Sequence, residues 1–385
     1  MGRLDHDGKH ATAAIRRVYP LLALLVSTVF CLTVALAAWV YRSEQPAVDF
    51  ASFWAAGRLA ALGTPALAYA IEAHRAVEMT VAHMGGLMPF PYPPPFLFFV
   101  APVAFEPFWL AYLAWIVPTA ALYVAALSRF MAPRYPLAHP AALVNAMIGQ
   151  NGLLTTAIFG FGITMVATQP LLGGSILGLL IVKPQLGVLL PVALLAERNW
   201  RAIAGAAASS LLLLAVAWVV FGSAAYRGFF EITGEYAGFM AASRWNWGEF
   251  ASLFALLRFF GLAQPIALAV QSIAAILAAA VTWRAWSRRD ENRIAILAAA
   301  TLLVTPYLLT YDSLLLVLPL AVVLRDEAHP WRPAILWLLL LAPFLGYFGL
   351  YPGPNTIPAA AILSLCWLAR PERRGAITPD PASAQ

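Results

Sequence analysis

The fold of this chain is decided by its first apolar run, residues 18–41, which reads VYPLLALLVSTVFCLTVALAAWVY. The run contains no charged residue. Because ~20 apolar residues in a helix cross a hydrocarbon core about 30 Å thick, it predicts a transmembrane helix. The step Ala35, Leu36, Ala37 is also typical of a signal-peptidase site. The apolar residues continue to Tyr41, however, and this favours an uncleaved span.

The rest of the sequence repeats this apolar pattern. Of the 385 residues, 62% are hydrophobic and 11% are charged, whereas globular proteins have ~45–50% and ~25%. Apolar blocks separated by charged turns exclude a β-barrel, whose strands alternate with period two. We predict an all-α polytopic membrane protein of about 12 transmembrane helices in a single domain, residues 18–369. The blocks are 18–41, 93–105, 107–127, 137–148, 152–167, 170–196, 201–221, 264–283, 294–309, 311–324, 333–350 and 356–369.

Arginine-rich turns predict the orientation of these spans. The positive-inside rule places such turns in the cytoplasm, and it does the same for the two tails, residues 1–17 and 370–385. Residues 42–92 and 222–250 then form two extracytoplasmic loops, the first with a helix lying in the membrane interface. This pattern predicts a multi-pass membrane protein surrounded by membrane lipids, and it gives no indication of a nucleic-acid partner. The basic clusters lie at 3–17, 197–201, 284–293, 325–332 and 370–374.

One turn gives conflicting signals. Arg129 and Arg134 favour the cytoplasm for residues 128–152, while the number of preceding blocks places that segment on the other side. Its side therefore stays open at the level of the sequence.

Asp49 stands at the start of the first extracytoplasmic loop, in Val48-Asp49-Phe50. A partly dehydrated carboxylate binds protons more tightly than one in water and is a better general base. An aspartate before a periodic apolar stretch is also an ordinary start signal of a helix. Asp49 is thus a candidate catalytic base, with helix capping as the alternative.

Lys183 lies inside an apolar run, in Ile181-Val182-Lys183-Pro184-Gln185. A charged group at membrane depth marks a functional site unless its long side chain reaches the surface. An anion such as a lipid phosphate is a suitable partner. On this interpretation Lys183→Met folds as well as the parent. A structural pairing with Asp312 or with a free carbonyl group near Pro184 is the alternative.

Several polar residues interrupt other apolar blocks. They are predicted to line a polar cavity, and the hinge at Asp312 also suits hydrogen bonding to a sugar. Hydrogen bonding between helices, or simple reversal of the chain, explains some of them equally well. We find no HExxH, CxxC or phosphate-binding glycine loop. No cofactor is predicted. Asp49 offers only one obvious metal ligand, so the sequence leaves open whether a divalent metal takes part. The predicted lining residues are Tyr92, Gln150, Asn151, Gln185, Trp245, Tyr307, Tyr311 and Asp312.

Several short motifs, taken in their order along the chain, resemble those of glycosyltransferase family 87, which includes polyprenyl-phosphomannose-dependent mannosyltransferases. The resemblance covers about residues 15–370. The pieces that carry it are Val48 to Arg58 with Gly63 and Tyr69, Tyr92-Pro93-Pro94, Gly149-Gln150-Asn151, Lys183-Pro184-Gln185, Pro306-Tyr307 and Tyr311-Asp312.

The resemblance implies a GT-C fold with a catalytic aspartate, here Asp49, in the first extracytoplasmic loop. It implies transfer of a sugar, mannose or another hexose or pentose, from a polyprenyl-phosphate donor to a hydroxyl group of a lipid or glycan, with inversion. Assignment of the donor phosphate to Lys183 is an electrostatic inference, and Arg58 and Arg244 are further candidates for that task.

Two other classes of protein compete with this interpretation. A transporter or flippase also has broken helices and buried charge, but we find no matching repeat between residues 15–190 and 200–370. A structural scaffold leaves Lys183 and Asp312 unexplained.

Overall fold

The computed structural model describes residues 21, 24–42, 49–81, 88–241, 246–325, 332–345 and 353–370. Two predicted site residues, Arg244 and Trp245, lie outside this part of the chain. So do the amino-terminal tail and residues 371–385. Within the described part the architecture is all-helical, without a strand, as the sequence predicts; one isolated antiparallel bridge joins Phe250 to Leu309.

Sixteen α-helices are described. They are α1 (Leu24–Arg42), α2 (Asp49–Ala61), α3 (Ile71–Glu78), α4 (Leu97–Val100), α5 (Phe108–Leu127), α6 (Pro140–Ile148), α7 (Gly152–Met165), α8 (Pro170–Gly178), α9 (Leu190–Ala196), α10 (Trp200–Ala241), α11 (Leu253–Phe259), α12 (Gln264–Ser287), α13 (Arg293–Thr301), α14 (Val317–Arg325), α15 (Arg332–Phe344) and α16 (Ile357–Leu368). Short 3₁₀-helices at Pro65–Tyr69, Pro94–Phe96, Ala101–Val103, Pro136–Ala138, Leu179–Val182, Pro184–Leu186, Trp247–Glu249 and Thr310–Leu316 connect them.

Four helices of the described part are long and apolar enough to cross a membrane, namely α1, α5, α10 and α12. This agrees with a membrane protein. The other apolar helices are shorter, so the full count of 12 spans stays a prediction. The predicted second loop begins at Gly222, where α10 leaves helical geometry with φ 78° and ψ 166°. Its first part is helical, because α10 continues to Ala241.

The block at 93–105 is too short to cross the bilayer alone. Its prolines divide it into the 3₁₀-helix Pro94–Phe96, α4 and the 3₁₀-helix Ala101–Val103. Ten helical residues reach only ~15–20 Å, about half of a hydrocarbon core. The block packs beneath α2, where a Cβ atom on Gly57 would lie 2.4 Å from the Val100 carbonyl oxygen.

Two helices, α1 and α5, lie side by side in opposite directions. At one end the ring of Tyr41 lies 5.6 Å from that of Phe108 and 5.1 Å from that of Tyr112. At the other end the Ser27 hydroxyl donates to the Arg134 carbonyl oxygen at 3.2 Å. The turn after α5 therefore lies beside the start of α1, and Asp49 belongs to the opposite end. This arrangement supports the side that Arg129 and Arg134 indicate for that turn.

Small residues allow α8 and α10 to pack closely. Gly174 and Gly178 are four residues apart on α8, and a Cβ atom on either would lie 2.0 Å from an oxygen atom of α10. Close backbone approach at small residues is typical of helix association in membranes. Substitution of these glycines would force the two helices apart.

Aromatic side chains surround α2 and fix its position. The ring of Phe53 lies 5.3 Å from that of Tyr92, 5.1 Å from that of Phe96 and 5.7 Å from that of Trp115. Phe50 is fully buried and abuts Gly149, where a Cβ atom would lie 2.5 Å from the Phe50 Cβ atom. The first helix after α1 is thus held inside the protein, with Asp49 at its start.

Gly149 offers a test of this packing. Gly149 and Gly63 both have positive φ angles, +70° and +78°, but a Cβ atom on Gly63 meets open space. In each case alanine carries a left-handed backbone penalty of ~1–2 kcal/mol, and at Gly149 overpacking against Phe50 adds ~1–3 kcal/mol. We expect Gly149→Ala to lower the melting temperature in detergent clearly more than Gly63→Ala. Equal losses would contradict the packing of Phe50 against Gly149.

Candidate active site

Asp49 and Gln150 form the first contact of the candidate site. Helix α6 ends at Ile148, and Gly149 follows in the left-handed conformation that commonly ends a helix. The break before α7 turns Gln150 inward, where its Nε2 group donates to the Asp49 Oδ2 atom at 2.7 Å. The left-handed turn at Gly149 thus brings a side-chain amide to the carboxylate at the start of α2.

The neighbours of Gln150 fix the orientation of its amide. Its Oε1 atom accepts hydrogen bonds from the Tyr92 hydroxyl and from the Asn151 backbone N–H, both at 3.2 Å. Because both of these groups donate here, the amide oxygen faces them and the NH₂ group faces Asp49. A rotated amide would place its oxygen against the Asp49 carboxylate and its NH₂ group against the Asn151 N–H, so both of those bonds would be lost.

Lys183 stands between two 3₁₀-helices with φ −146° and ψ 71°, outside the α region that a following proline disfavours. Its side chain is 2% exposed. The ammonium group donates to Asp312 Oδ1 and, at 3.0 Å, to Asn151 Oδ1. It lies 4.5 Å from the Tyr311 ring centroid and 5.9 Å from that of Tyr92. Of the readings that the sequence left open, the structure shows the pairing with Asp312.

Asp312 is held in the first turn of the 3₁₀-helix Thr310–Leu316. Its Oδ2 atom accepts from the Leu309 backbone N–H at 3.3 Å, while Oδ1 meets Lys183. The Tyr311 carbonyl oxygen accepts from Asn145 Nδ2 at 3.1 Å, and this bond ties the segment to α6. Both oxygens of the buried carboxylate therefore have partners.

These contacts form one continuous path. Asp49 contacts Gln150, the next residue Asn151 contacts Lys183, and Lys183 contacts Asp312. The groups come from the start of α2 and from three interruptions between α-helices, where irregular backbone is tolerated in a membrane protein because it is buried in protein. The formal charge of this path is −1, from two carboxylates and one ammonium group.

Burial sets the proton affinity of Asp49. The residue is half-buried, and burial raises its pKa above the ordinary value. The hydrogen bond from Gln150 and the charge of Lys183 oppose this shift, while the charge of Glu249 adds to it. A carboxylate with a raised pKa is a stronger base than an exposed one.

The structure brings together most of the predicted residues and separates some others. The predicted residues that share the network are Tyr92, Gln150, Asn151, Lys183, Tyr311 and Asp312. Tyr307 packs against Phe250 instead, with 5.6 Å between the ring centroids. Gln185 is half-buried and forms no hydrogen bond within the network. Arg58 lies in the last turn of α2, ~13 Å along the helix axis from Asp49.

Two supporting residues escaped the sequence analysis. Asn145 is fully buried in α6, and its position as a lone amide within an apolar block was an available signal. Asn355 donates to the Thr310 hydroxyl at 3.0 Å and so holds the segment that carries Asp312. In the described part of the chain no three His, Cys, Asp or Glu side chains are grouped closely enough to hold a metal ion.

Comparison with known proteins assigns the chain to a family. The sequence model of glycosyltransferase family 87 matches residues 90–306, more than half of the 385 residues. The chain belongs to glycosyltransferase family 87. No curated protein and no solved structure matches it significantly.

The part that matches family 87 contains much of the network. Tyr92, Gln150, Asn151 and Lys183 lie within it, whereas Asp49 precedes it and Asp312 follows it. The chain is thus a glycosyltransferase, and its candidate site combines the matched region with a carboxylate from each side.

The buried ion pair predicts a specific pattern of stability. Lys183→Met leaves Asp312 as an unpaired buried charge, and loss of one partner of such a pair typically costs ~3–5 kcal/mol. This reverses the expectation from sequence that the variant folds as well as the parent. In Lys183→Met/Asp312→Asn neither charge remains. We expect the double variant to lose clearly less than the sum of the two single losses, measured as melting temperatures in detergent. Additive losses would show that the two side chains do not interact.

Proposed function

We propose that this protein transfers a sugar from a polyprenyl-phosphate donor to a hydroxyl group of a lipid or glycan acceptor on the extracytoplasmic face of the bacterial inner membrane. The sugar is mannose or another hexose or pentose. The observation that carries the proposal is the Asp49 carboxylate, oriented by Gln150 and raised in proton affinity by burial. The family assignment makes a glycosyltransferase the better interpretation than a transporter.

Asp49 acts as the general base in this proposal. The acceptor hydroxyl gives its proton to the free Oδ1 atom as its oxygen attacks the anomeric carbon of the sugar. The bond from that carbon to the phosphate oxygen breaks on the opposite face, and the phosphate departs with the electron pair. The anomeric configuration is inverted, and the products are the glycosylated acceptor and polyprenyl phosphate.

Lys183 serves the departing phosphate in this proposal. Without donor, its ammonium group is held by Asp312 and Asn151. Because the path from Asp49 to Asp312 carries a net negative charge, a phosphate that binds here competes with Asp312 for the ammonium group. Charge stabilisation of this kind grows as negative charge develops on the leaving group.

The base assignment predicts the behaviour of Asp49→Asn. This change keeps the shape and removes most of the proton affinity, so turnover should fall ~10²- to 10⁴-fold. The purified protein is reconstituted with radiolabelled polyprenyl-phosphate sugars and membrane lipid, and labelled product is counted. Glu72→Gln, at an exposed acid of the same loop, should keep parental turnover. Near-parental turnover of Asp49→Asn would refute the assignment.

The contact of Gln150 with Asp49 predicts a shift in pH dependence. Turnover falls when acid protonates the base, at a pH set by the pKa of Asp49. The Gln150 hydrogen bond lowers that pKa, so Gln150→Leu should move the acid limb of the pH profile to higher pH. A hydrogen bond to a charged group, ~1.5–3 kcal/mol, corresponds to about one to two pH units. Gln185→Leu should leave the limb in place, and an unshifted limb in Gln150→Leu would contradict the contact.

The proposed exchange of partners at Lys183 predicts a response to the donor. Asp312→Asn leaves the ammonium group without its counter-charge, so a bound phosphate should raise the melting temperature of this variant more than that of the parent. The measurement compares both proteins with and without a polyprenyl-phosphate sugar. If the donor stabilises the variant no more than the parent, Lys183 is a purely structural partner of Asp312.

A further inference from the structure

A second polar feature lies at the opposite end of α1 from Asp49. The turn after α5 and the end of α14 enclose a surface cavity of about 400 Å³. Its lining includes two arginines, Arg129 and Arg325, together with Tyr135 and Leu324. Among the described residues that line it, none is acidic.

The arginines are held at the rim from two different elements. Arg325 is the last residue of α14, and its guanidinium group donates to the Phe130 carbonyl oxygen across the cavity. The guanidinium carbon of Arg129 lies 5.8 Å from the Phe161 ring centroid. A third guanidinium group, of Arg134, donates to the Tyr135 hydroxyl at 3.3 Å. Arg129 and Arg325 thus bring positive charge to the cavity from two different elements, and Arg134 contacts its lining through Tyr135.

The charge of the neighbouring sequence has the same sign. Residues 128–135 and 325–332 together contain four arginines and two acids, Asp326 and Glu327, which gives a formal charge of +2. Arginine is well suited to phosphate because its planar donors match two oxygens at once. The positive charge and the arginine donors at the cavity therefore favour binding of an anion.

The position of the cavity selects a lipid as the source of that anion. It lies at the end of α5, a helix long enough to cross the bilayer, so it sits at the depth of the headgroups. Exposed leucines lie on α1 and α5, the two helices that end near the cavity. Near this end of α1, Leu24 and Leu25 are 61% and 59% exposed, and Leu122 of α5 is 45% exposed. A headgroup in the cavity would lay its acyl chains along this apolar surface.

We propose that this cavity binds the phosphate of an anionic phospholipid on the face opposite Asp49, which the arginines mark as cytoplasmic. The site is separate from the candidate active site, and it does not depend on the proposed reaction. Basic pockets between transmembrane helices on the cytoplasmic side are a known mode of headgroup recognition.

The test measures lipid selectivity of the full chain. Protein in detergent is titrated with phosphatidylglycerol and, separately, with phosphatidylcholine, and bound lipids are counted by native mass spectrometry. We expect the parent to prefer phosphatidylglycerol. Arg129→Gln/Arg325→Gln should lose about fivefold of that preference for each arginine. Arg284→Gln/Arg288→Gln removes the same charge from another predicted cytoplasmic turn and should keep the preference.

Two further variants keep the test decisive if the double variant does not fold. Arg129→Gln and Ala132→Glu both leave the bond from Arg325 to Phe130 in place, and the second puts a carboxylate into the lining. Each should weaken phosphatidylglycerol binding. An unchanged preference in both variants would overturn the proposal. Displacement of the lipid by inorganic phosphate would identify a site for free phosphate and would also overturn it.

Discussion

A buried ammonium group constrains the centre of this structure. The Lys183 side chain is 2% exposed, so the surrounding helices must supply acceptors for its charge. The helices supply these acceptors at the points where they are interrupted. The interruption between α6 and α7 presents Asn151, and the one between α13 and α14 presents Asp312. The same interruption that supplies Asn151 also supplies Gln150 to Asp49. The candidate base is therefore oriented by a side chain from the same interruption that supplies a side-chain acceptor to the lysine.

The sequence predicted the local features of this centre better than its pairings. All-helical architecture follows from the apolar blocks, and Asp49, Gln150, Asn151 and Lys183 were recognisable as polar groups in apolar surroundings. The contact of Lys183 with Asp312 joins residues 129 positions apart. Asp312 was named as its possible partner, but periodicity and hydropathy report neighbours along the chain and could not decide between that pairing and a phosphate.

Sequence patterns could not predict two other features, the position of Arg58 and the short helices of block 93–105, for similar reasons. Arg58 belongs to the same motif as Asp49, yet the rise of α2 places it at the other end of the helix, so proximity in sequence did not mean proximity in space. The block at 93–105 is as apolar as a span. Its prolines allow only short helical turns, and hydropathy alone does not register that loss of length.

The separation of Lys183 from Asp312 has a consequence for how the chain is made. Ribosomes add roughly 5–20 residues per second, so Lys183 is synthesised ~6–26 s before the carboxylate that neutralises it. During this interval the lysine segment carries an uncompensated charge, which costs ~2.5–3.5 kcal/mol at the centre of an inserting helix. The first half of the protein therefore lacks one of the contacts that stabilise its final position. Its insertion is completed by a residue from the second half, so truncation before Asp312 would leave the nascent bundle dependent on the insertion machinery or on a chaperone.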